Sequence, residues 1–253
     1  MNIAVCLVAV APVRREAGHR SEMTSQLLFG EFAEILERVK DFTKVRCIHD
    51  SYEGWVQTSQ LVKTEETDLD KRPFFTSAWC SPINVNNTPT YVSYCTPVVD
   101  PEKNVRFGKY EIQYGRVACL EPSPDFTPEN ISRLSRMFLN TAYLWGGRSV
   151  FGVDCSGLSQ QVFKLLGIAL PRDAYQQAER GEMIGFLAEA RCGDLAFFDN
   201  EEGRITHVGI LLNEREIIHS SGRVRIDAID HQGIVQAASG LRTHRLRLIK
   251  RYA

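Results

Sequence analysis

The stretch Val153-Asp154-Cys155-Ser156-Gly157-Leu158 limits the fold more than any other, because it sets a cysteine directly behind a residue able to cap a helix. Leu158, Val162, Phe163, Leu165 and Leu166 follow at helical spacing until Gly167 stops the run. Cys155 therefore belongs in the first turn of a helix. There, unpaired backbone N–H groups and the positive end of the helix dipole favour the thiolate, the form of cysteine that attacks. Downstream, Thr206-His207-Val208-Gly209-Ile210 and Ile217-Ile218-His219-Ser220-Ser221 set a histidine into each of two short apolar runs that read as strands. A lone cysteine at a helix start is ordinarily a small buried hydrophobe, and a strand histidine is ordinarily packed in a core. Together they point elsewhere. A strand that needed only volume would carry Val or Ile, whereas an imidazole brings polar atoms that need partners. A helix-start thiol followed by two strand imidazoles supplies a nucleophile, a base and an orienting group.

With 253 residues, 43% of them hydrophobic, the chain can bury at least one full core and fits two or three domains. A formal net charge of -1 gives no basic excess that would point to nucleic acid. Arg242 to Arg251 is locally basic, but Leu246, Leu248 and Ile249 interrupt it, which reads as a strand with one solvated face. Seven cysteines, an odd number without a CxxC pair, argue against both a disulfide framework and a zinc site, and no HExxH occurs. Cys6, Cys47, Cys80, Cys95, Cys119 and Cys192 read as free thiols of a reducing compartment. Neither metal nor cofactor is expected. Ile3 to Ala11 is apolar and short, yet no Lys or Arg precedes it and Val13-Arg14-Arg15-Glu16 does not resemble a cleavage site, so it reads as a first strand. No run approaches the roughly 20 apolar residues of a membrane helix. The expectation is a cytoplasmic monomer without membrane or nucleic-acid partners; an exported location is the alternative for a chain whose leader has been removed.

The expected class is α+β, an N-terminal small β-barrel region followed by a catalytic domain, in three segments. Residues 1–64 hold short apolar pieces at Phe32 to Leu36, Val45 to Ile48 and Trp55 to Val56, with a helix-like piece around Ser21 to Phe29, as in a small β-barrel domain. Residues 65–122 form a second β-rich segment, with Lys63 to Arg72 as a charged linker and β-prone pieces at Thr90 to Tyr94 and Lys109 to Gln113. Residues 123–253 open with Thr127 as N-cap, Pro128 and Glu129, then Ile131, Leu134, Phe138 and Leu139 on one face of a helix that should pack on the Cys155 helix. Leu195 to Phe198, Val208 to Leu212 and Ile217 to Ile218 supply antiparallel strands, with a turn at Asn213-Glu214.

Six motifs then stand in the order found in the NlpC-type cell-wall cysteine peptidases. They are Tyr143-Leu144-Trp145-Gly146-Gly147; Asp154-Cys155-Ser156-Gly157; Leu170-Pro171-Arg172-Asp173-Ala174-Tyr175-Gln176-Gln177; Gly193-Asp194-Leu195-Ala196-Phe197-Phe198; Thr206-His207-Val208-Gly209; and Ile218-His219-Ser220-Ser221. From about Thr127 onward the chain resembles that family. The resemblance implies a papain-like NlpC-type catalytic domain with Cys155 as nucleophile, His207 as general base and His219 orienting it. It also implies that Tyr143 joins the Cys155 backbone N–H in the oxyanion hole. Ser21-Glu22-Met23, Gln26 to Glu31 and Asp50 to Val56 resemble the bacterial SH3-like domain fused ahead of some such peptidases. Some relatives carry two such domains, and residues 65–122 would then be the second.

The same resemblance implies a substrate. These enzymes cut the bond from γ-D-glutamate to an L-diamino acid in wall stem peptides, and those with this SH3-like domain tend to require a free N-terminal L-alanine. The implied amine ligands are Glu22, Tyr52 and Asp154, with Ser156 beside them and Trp145 lining the cleft. Two carboxylates and a phenol hold an ammonium by charge-assisted hydrogen bonds, while a peptide lacking the amine leaves them unpaired. Small free wall peptides are thus the expected partners, in murein recycling or wall turnover. Arg172 and Asp173 are expected to be structural. Two other classes compete with this reading. The complete Cys155, His207 and His219 set argues against an inactive wall-peptide binding module. Cys155 preceding His207 argues against a papain-fold amidase or acyltransferase of the lipid-modifying branch.

Overall fold

The computed structural model describes residues 2–65 and 74–253. The expected linker at Lys63 to Arg72 lies mostly outside them, Lys63 and Thr64 ending the strand Leu61–Thr64. Strands hold 45% of the described residues and helices 13%, so the described part is mostly β. The described residues form two compact units, one running to Pro122 and including Trp145–Phe151, the other made of Ser123–Leu144 and Gly152–Ala253.

In the first unit, strands Ile3–Cys6, Val10–Arg14, Met23–Leu28, Phe32–Val39, Phe42–Cys47, Glu53–Gln57 and Leu61–Thr64 make one antiparallel sheet. Its core is Cys6, Ala11, Val13, Leu27, Val45 and Val56. Two expectations need correction here. Ile3 to Ala11 is not one strand, since the chain breaks between Cys6 and Val10. The helix-like piece at Ser21 to Phe29 is the strand Met23–Leu28, whose Leu28 pairs with Val10 and Gln26 with Pro12. Ser25 to Leu28 are all buried, and a strand covered on both faces loses the alternation that would have marked it.

Residues 74–122 form two further antiparallel sheets, of four and three strands. The β-prone pieces fall on Thr88–Ser93 and Tyr110–Gln113. Asn86 and Asn87, both at positive φ (49° and 60°), turn the chain between Cys80–Val85 and Thr88–Ser93, the geometry a two-residue hairpin requires. Ile83, Val92, Phe107 and Ile112 pack in one cluster with Val5 and Phe29 of the first sheet, so the two N-terminal segments share a core.

Trp145–Phe151 joins this unit through a buried cation. The Arg148 guanidinium, fully buried, donates to Glu31 Oε2 at 2.8 Å, to Glu31 Oε1 at 3.1 Å and to the Gln26 carbonyl at 2.6 Å. Its own N–H bonds Gln26 Oε1 at 2.8 Å. Gly146 lies so close that a Cβ there would stand 2.7 Å from the Met23 carbonyl, and its φ is +77°, so no other residue fits. Chain continuity had assigned this segment to the catalytic half.

The second unit packs α1 (Pro128–Arg136), α2 (Cys155–Leu165) and α3 (Ala174–Ala178) with a sheet of seven antiparallel strands. In spatial order these are Glu182–Ile184, Arg242–Arg251, Leu195–Asp199, Ile205–Leu211, Glu216–Ser221, Arg223–Asp230 and Gly233–Val235. Gly233–Val235 also pairs with Arg242–Arg251, so six strands close into a ring, which removes their free edges. Thr127 caps α1, its hydroxyl accepting from Asn130 N, and the helix stops at Arg136, leaving Phe138 and Leu139 beyond it.

Replacing Glu31 by Gln takes from the buried Arg148 guanidinium the carboxylate that accepts two of its hydrogen bonds. We expect the unfolding of the first unit in urea to lose about 3–5 kcal/mol. A loss below about 1 kcal/mol would show that the remaining groups, the Gln26 carbonyl and the Asp50 charge among them, carry the guanidinium.

Candidate active site

Asp154 caps α2 as expected, its Oδ1 accepting from Gly157 N at 2.7 Å. The same carboxylate takes both guanidinium arms of Arg172, at 3.1 and 2.5 Å, and Arg172 also donates to Ser156 Oγ at 2.8 Å. Arg172 is buried and Asp154 nearly so. The residue read as structural thus braces the turn that presents Cys155. Asp173 starts α3 through a capping box with Gln176. Tyr143 is held beside this turn: it bridges to Val153, and its N–H bonds the Gly222 carbonyl at 3.0 Å. Burial, then the charges of Cys155 and Asp154, push its phenol up, so it stays protonated and able to donate.

His207 stands on the strand Ile205–Leu211 and His219 on the neighbouring Glu216–Ser221. In the ladder Gly209 is opposite His219, so His207, two residues away, is the diagonal neighbour on the same face. A Cβ at Gly209 would lie 3.0 Å from His219 Cβ and 2.6 Å from Ile217 Cδ1. The glycine leaves space across which His207 Nε2 meets His219 Nδ1 at 2.9 Å. A further step along the sheet, His219 Nε2 meets Asp227 Oδ2 at 3.0 Å. The His244 ring stacks on that of His207, with centroids 4.2 Å apart and planes 28° off parallel.

The electrostatics correct one expectation. A helix start should favour the thiolate, yet burial first and the Asp154 charge second push the Cys155 thiol up to about 12. The Val208 N–H, Arg172 and the Ser156 N–H work the other way without prevailing. Burial likewise drives His207 well below the usual imidazole value, helped by His244, His219 and Arg225. The resting pair is therefore neutral thiol and neutral imidazole, because withdrawing charge from water outweighs the helix dipole at this site.

The remaining predicted residues lie as follows. Ser156 donates to Asp154 Oδ1 at 3.3 Å. Glu22 accepts from Trp145 Nε1 at 2.8 Å and pairs with Arg15 at 2.9 Å, all within the first unit. Trp145 is exposed. Tyr52 precedes the strand Glu53–Gln57, its N–H bonded to Asp50 Oδ1 at 3.0 Å.

Sequence reasoning missed Asp227, Arg225 and His244. Val224, Ile226 and Ala228 alternate as a buried face would, which sends Arg225 and Asp227 to solvent on paper; in the structure Asp227 is buried instead, its Oδ1 accepting from the Ala237 N–H. Among the described residues His207, His219 and His244 form the one group spaced to hold a metal, with nitrogens within 4.8 Å. Two of these nitrogens already bond each other, and stacked rings do not aim their in-plane lone pairs at one point. The arrangement fits a proton chain better than a metal centre.

Residues 140–243 match the model of the NlpC/P60 family, and residues 13–61 that of the bacterial dipeptidyl-peptidase SH3 domain. A gamma-D-glutamyl-L-lysine dipeptidyl-peptidase of Bacillus subtilis is 44% identical over 96 residues, 37% of this chain and 32% of that protein. One of the same name from Bacillus cereus is 24% identical over 254 residues, 88% of this chain and 76% of that one. Dipeptidyl-peptidase 6 of Lysinibacillus sphaericus is 26% identical over 259 residues, 90% of this chain and 92% of that one. The chain thus spans about a third of the first relative and most of the other two. The crystal structure of an NlpC/P60 family protein from Bacillus cereus superposes with a TM-score of 0.79 over 99% of both chains at 20% identity. An NlpC/P60 endopeptidase from Photobacterium damselae subsp. piscicida gives 0.73 over 97% of this chain and 70% of that one at 15% identity. These two likenesses establish the fold.

A base must be unprotonated to accept the thiol proton, so activity is lost as pH falls through the folded-state value of His207. Because that value is lowered, the acid limb of kcat/KM should lie well below pH 6.5, with near-full activity at pH 6. A pH–rate profile checks this; an acid limb at or above 6.5 would mean that His207 titrates as an exposed imidazole.

Proposed function

We propose, from the premise that the chain is an NlpC/P60 hydrolase of the cysteine-peptidase type with a bacterial SH3 domain, that it cuts the γ-D-glutamyl to L-diamino acid bond of wall stem peptides bearing a free N-terminal L-alanine. The observation that carries the reading is the helix-start Cys155, adjacent to the Val208 N–H and followed by the hydrogen-bonded His207 and His219. The name of the Bacillus cereus relative, a gamma-D-glutamyl-L-lysine dipeptidyl-peptidase matched over 76% of its length, supports the bond chosen.

In this reading His207 takes the Cys155 proton as the sulfur attacks the γ-glutamyl carbonyl. Tyr143 and the Cys155 N–H hold the oxyanion. The proton then passes from His207 to the leaving amine, and a thioester remains. Water, deprotonated by His207, attacks the thioester; the proton returns to the sulfur and the acid departs. His219 keeps the His207 ring in place.

Glu22, Tyr52 and Asp154 are the proposed ligands of the substrate ammonium. Asp154 and Glu22 supply the counter-charge, the first shared with Arg172 and the second with Arg15, and Tyr52 supplies a hydrogen bond. Ser156 and Trp145 complete the proposed substrate contacts. Glu22 and Tyr52 each immediately precede a strand of the first sheet, consistent with an SH3-like barrel that selects substrate ahead of an α+β catalytic domain. Seven free thiols support a cytoplasmic site of action on recycled peptides.

Incubation with L-Ala-γ-D-Glu-diaminopimelate, its lysine counterpart and their N-acetylated forms, with products identified by mass spectrometry, tests this. We expect rapid release of L-Ala-γ-D-Glu from free peptides only. EDTA should leave the rate unchanged, and the folded Cys155→Ala protein should have none. Equal rates on acetylated peptides would remove the amine requirement.

For Tyr52→Phe the expected loss in kcat/KM on the free peptide is about 10- to 100-fold, roughly 1.4–2.7 kcal/mol, the scale of one hydrogen bond to a charged group. Any residual turnover of the acetylated peptide should barely change. Equal losses on both would assign Tyr52 to packing.

A further inference from the structure

Asp227 is 4% exposed and takes no part in the steps above. Its position in the ladder is opposite Ile217, which makes it the diagonal neighbour of His219 on the face that carries both histidines. Its Oδ1 accepts from the Ala237 N–H at 2.9 Å, and its Oδ2 faces His219 Nε2 at 3.0 Å and Arg225 Nε at 2.7 Å. The Ala237 N–H and the Arg225 guanidinium can only donate.

We propose that Asp227 is a positioning residue that acts through His219 to fix which nitrogen of His207 carries a proton, so that His207 offers a bare Nδ1 as the base for Cys155. The chain of donors allows one order. A carboxylate only accepts, so the His219 nitrogen facing it, Nε2, must bear hydrogen. His219 is neutral, since burial outweighs Asp227 and leaves its imidazole below the usual value; its Nδ1 is therefore an acceptor. The His207 nitrogen at 2.9 Å, Nε2, must then be the donor, and Nδ1 is left as the only acceptor on that ring.

The carboxylate itself is secure. Burial opposes its charge, but the His219 bond, the Ala237 N–H and Arg225 overcome it and bring Asp227 down to about 2. Without it, His219 is free to carry its proton on Nδ1 and donate to His207, which reverses both rings and puts hydrogen on the nitrogen needed as base. Asp227 also steadies positive charge when His207 holds the thiol proton, one imidazole removed.

This inference rests on Cys155 and His207 as nucleophile and base and not on which peptide is cut, so one readout needs no substrate. Asp227→Ala and Asp227→Asn are compared with the parent protein, with retained folding checked by thermal unfolding. Iodoacetamide modification of Cys155, followed at pH 7.5 by mass spectrometry of its tryptic peptide, should slow at least about tenfold in both variants. On L-Ala-γ-D-Glu-diaminopimelate kcat should fall about 10- to 100-fold with KM within about twofold, the range for a carboxylate that orients a functional histidine from behind. The Asn variant keeps the shape and has no charge. Should Asp227→Ala fail to fold, Asp227→Asn decides alone. Parent-like alkylation and kcat in Asp227→Asn would overturn the proposal by showing that shape suffices. Slow turnover with unchanged alkylation in either variant would overturn it by placing the defect away from the thiol.

Discussion

The exclusion of water from Cys155, His207 and His219 is the constraint on which the catalytic unit depends. In water, a thiol and an imidazole so placed would exchange a proton easily. Buried, each favours its neutral form, the thiol pushed up to about 12 and the imidazole driven down. Charge separation has to be deferred until a substrate arrives, and every polar atom must find a partner inside the protein. The diagonal succession of His207, His219 and Asp227 over three strands satisfies that demand, each nitrogen facing the next group at 2.9 to 3.0 Å.

The turn that presents the thiol is governed by the same rule. Asp154 caps the helix, and its charge, which opposes a thiolate, is tempered without being cancelled by a buried arginine that also grips Ser156. A second buried arginine does comparable work in the other unit, where Arg148 fixes Trp145–Phe151 against Glu31 and Gln26. The Tyr143-Leu144-Trp145-Gly146-Gly147 motif therefore divides between units: its tyrosine belongs with Cys155 and its tryptophan with Glu22. Its first glycine serves packing, Gly146 lying against the Met23 carbonyl.

Local signals were readable wherever local physics decides. Thr127-Pro128 and Asp154-Cys155 announced two helices through their caps, and the strands bearing His207 and His219 showed as apolar runs. Met23–Leu28 read as helix because a strand buried on both faces carries no period-two pattern. The carboxylate behind His219 and the imidazole stacked on His207 were invisible for a related reason. Asp227 meets His219 through the pairing of Glu216–Ser221 with Arg223–Asp230, and His244 arrives on a strand that also pairs with Leu195–Asp199, contacts set by the sheet and not by the pattern of one stretch of sequence. The resemblance of motifs supplied the roles of Cys155, His207 and His219, while the state of their protons came from burial that no motif records.

The central claim is that Cys155 carries the acyl group in a water-poor site. Acid quenching during turnover of L-Ala-γ-D-Glu-diaminopimelate, followed by mass spectrometry of the intact protein and of its peptides, measures this directly. The account predicts a single adduct with the mass of the L-Ala-γ-D-Glu acyl group on the peptide containing Cys155, absent from Cys155→Ala and cleared by hydroxylamine. Turnover with no adduct under any quench, or an adduct on another residue, would contradict it.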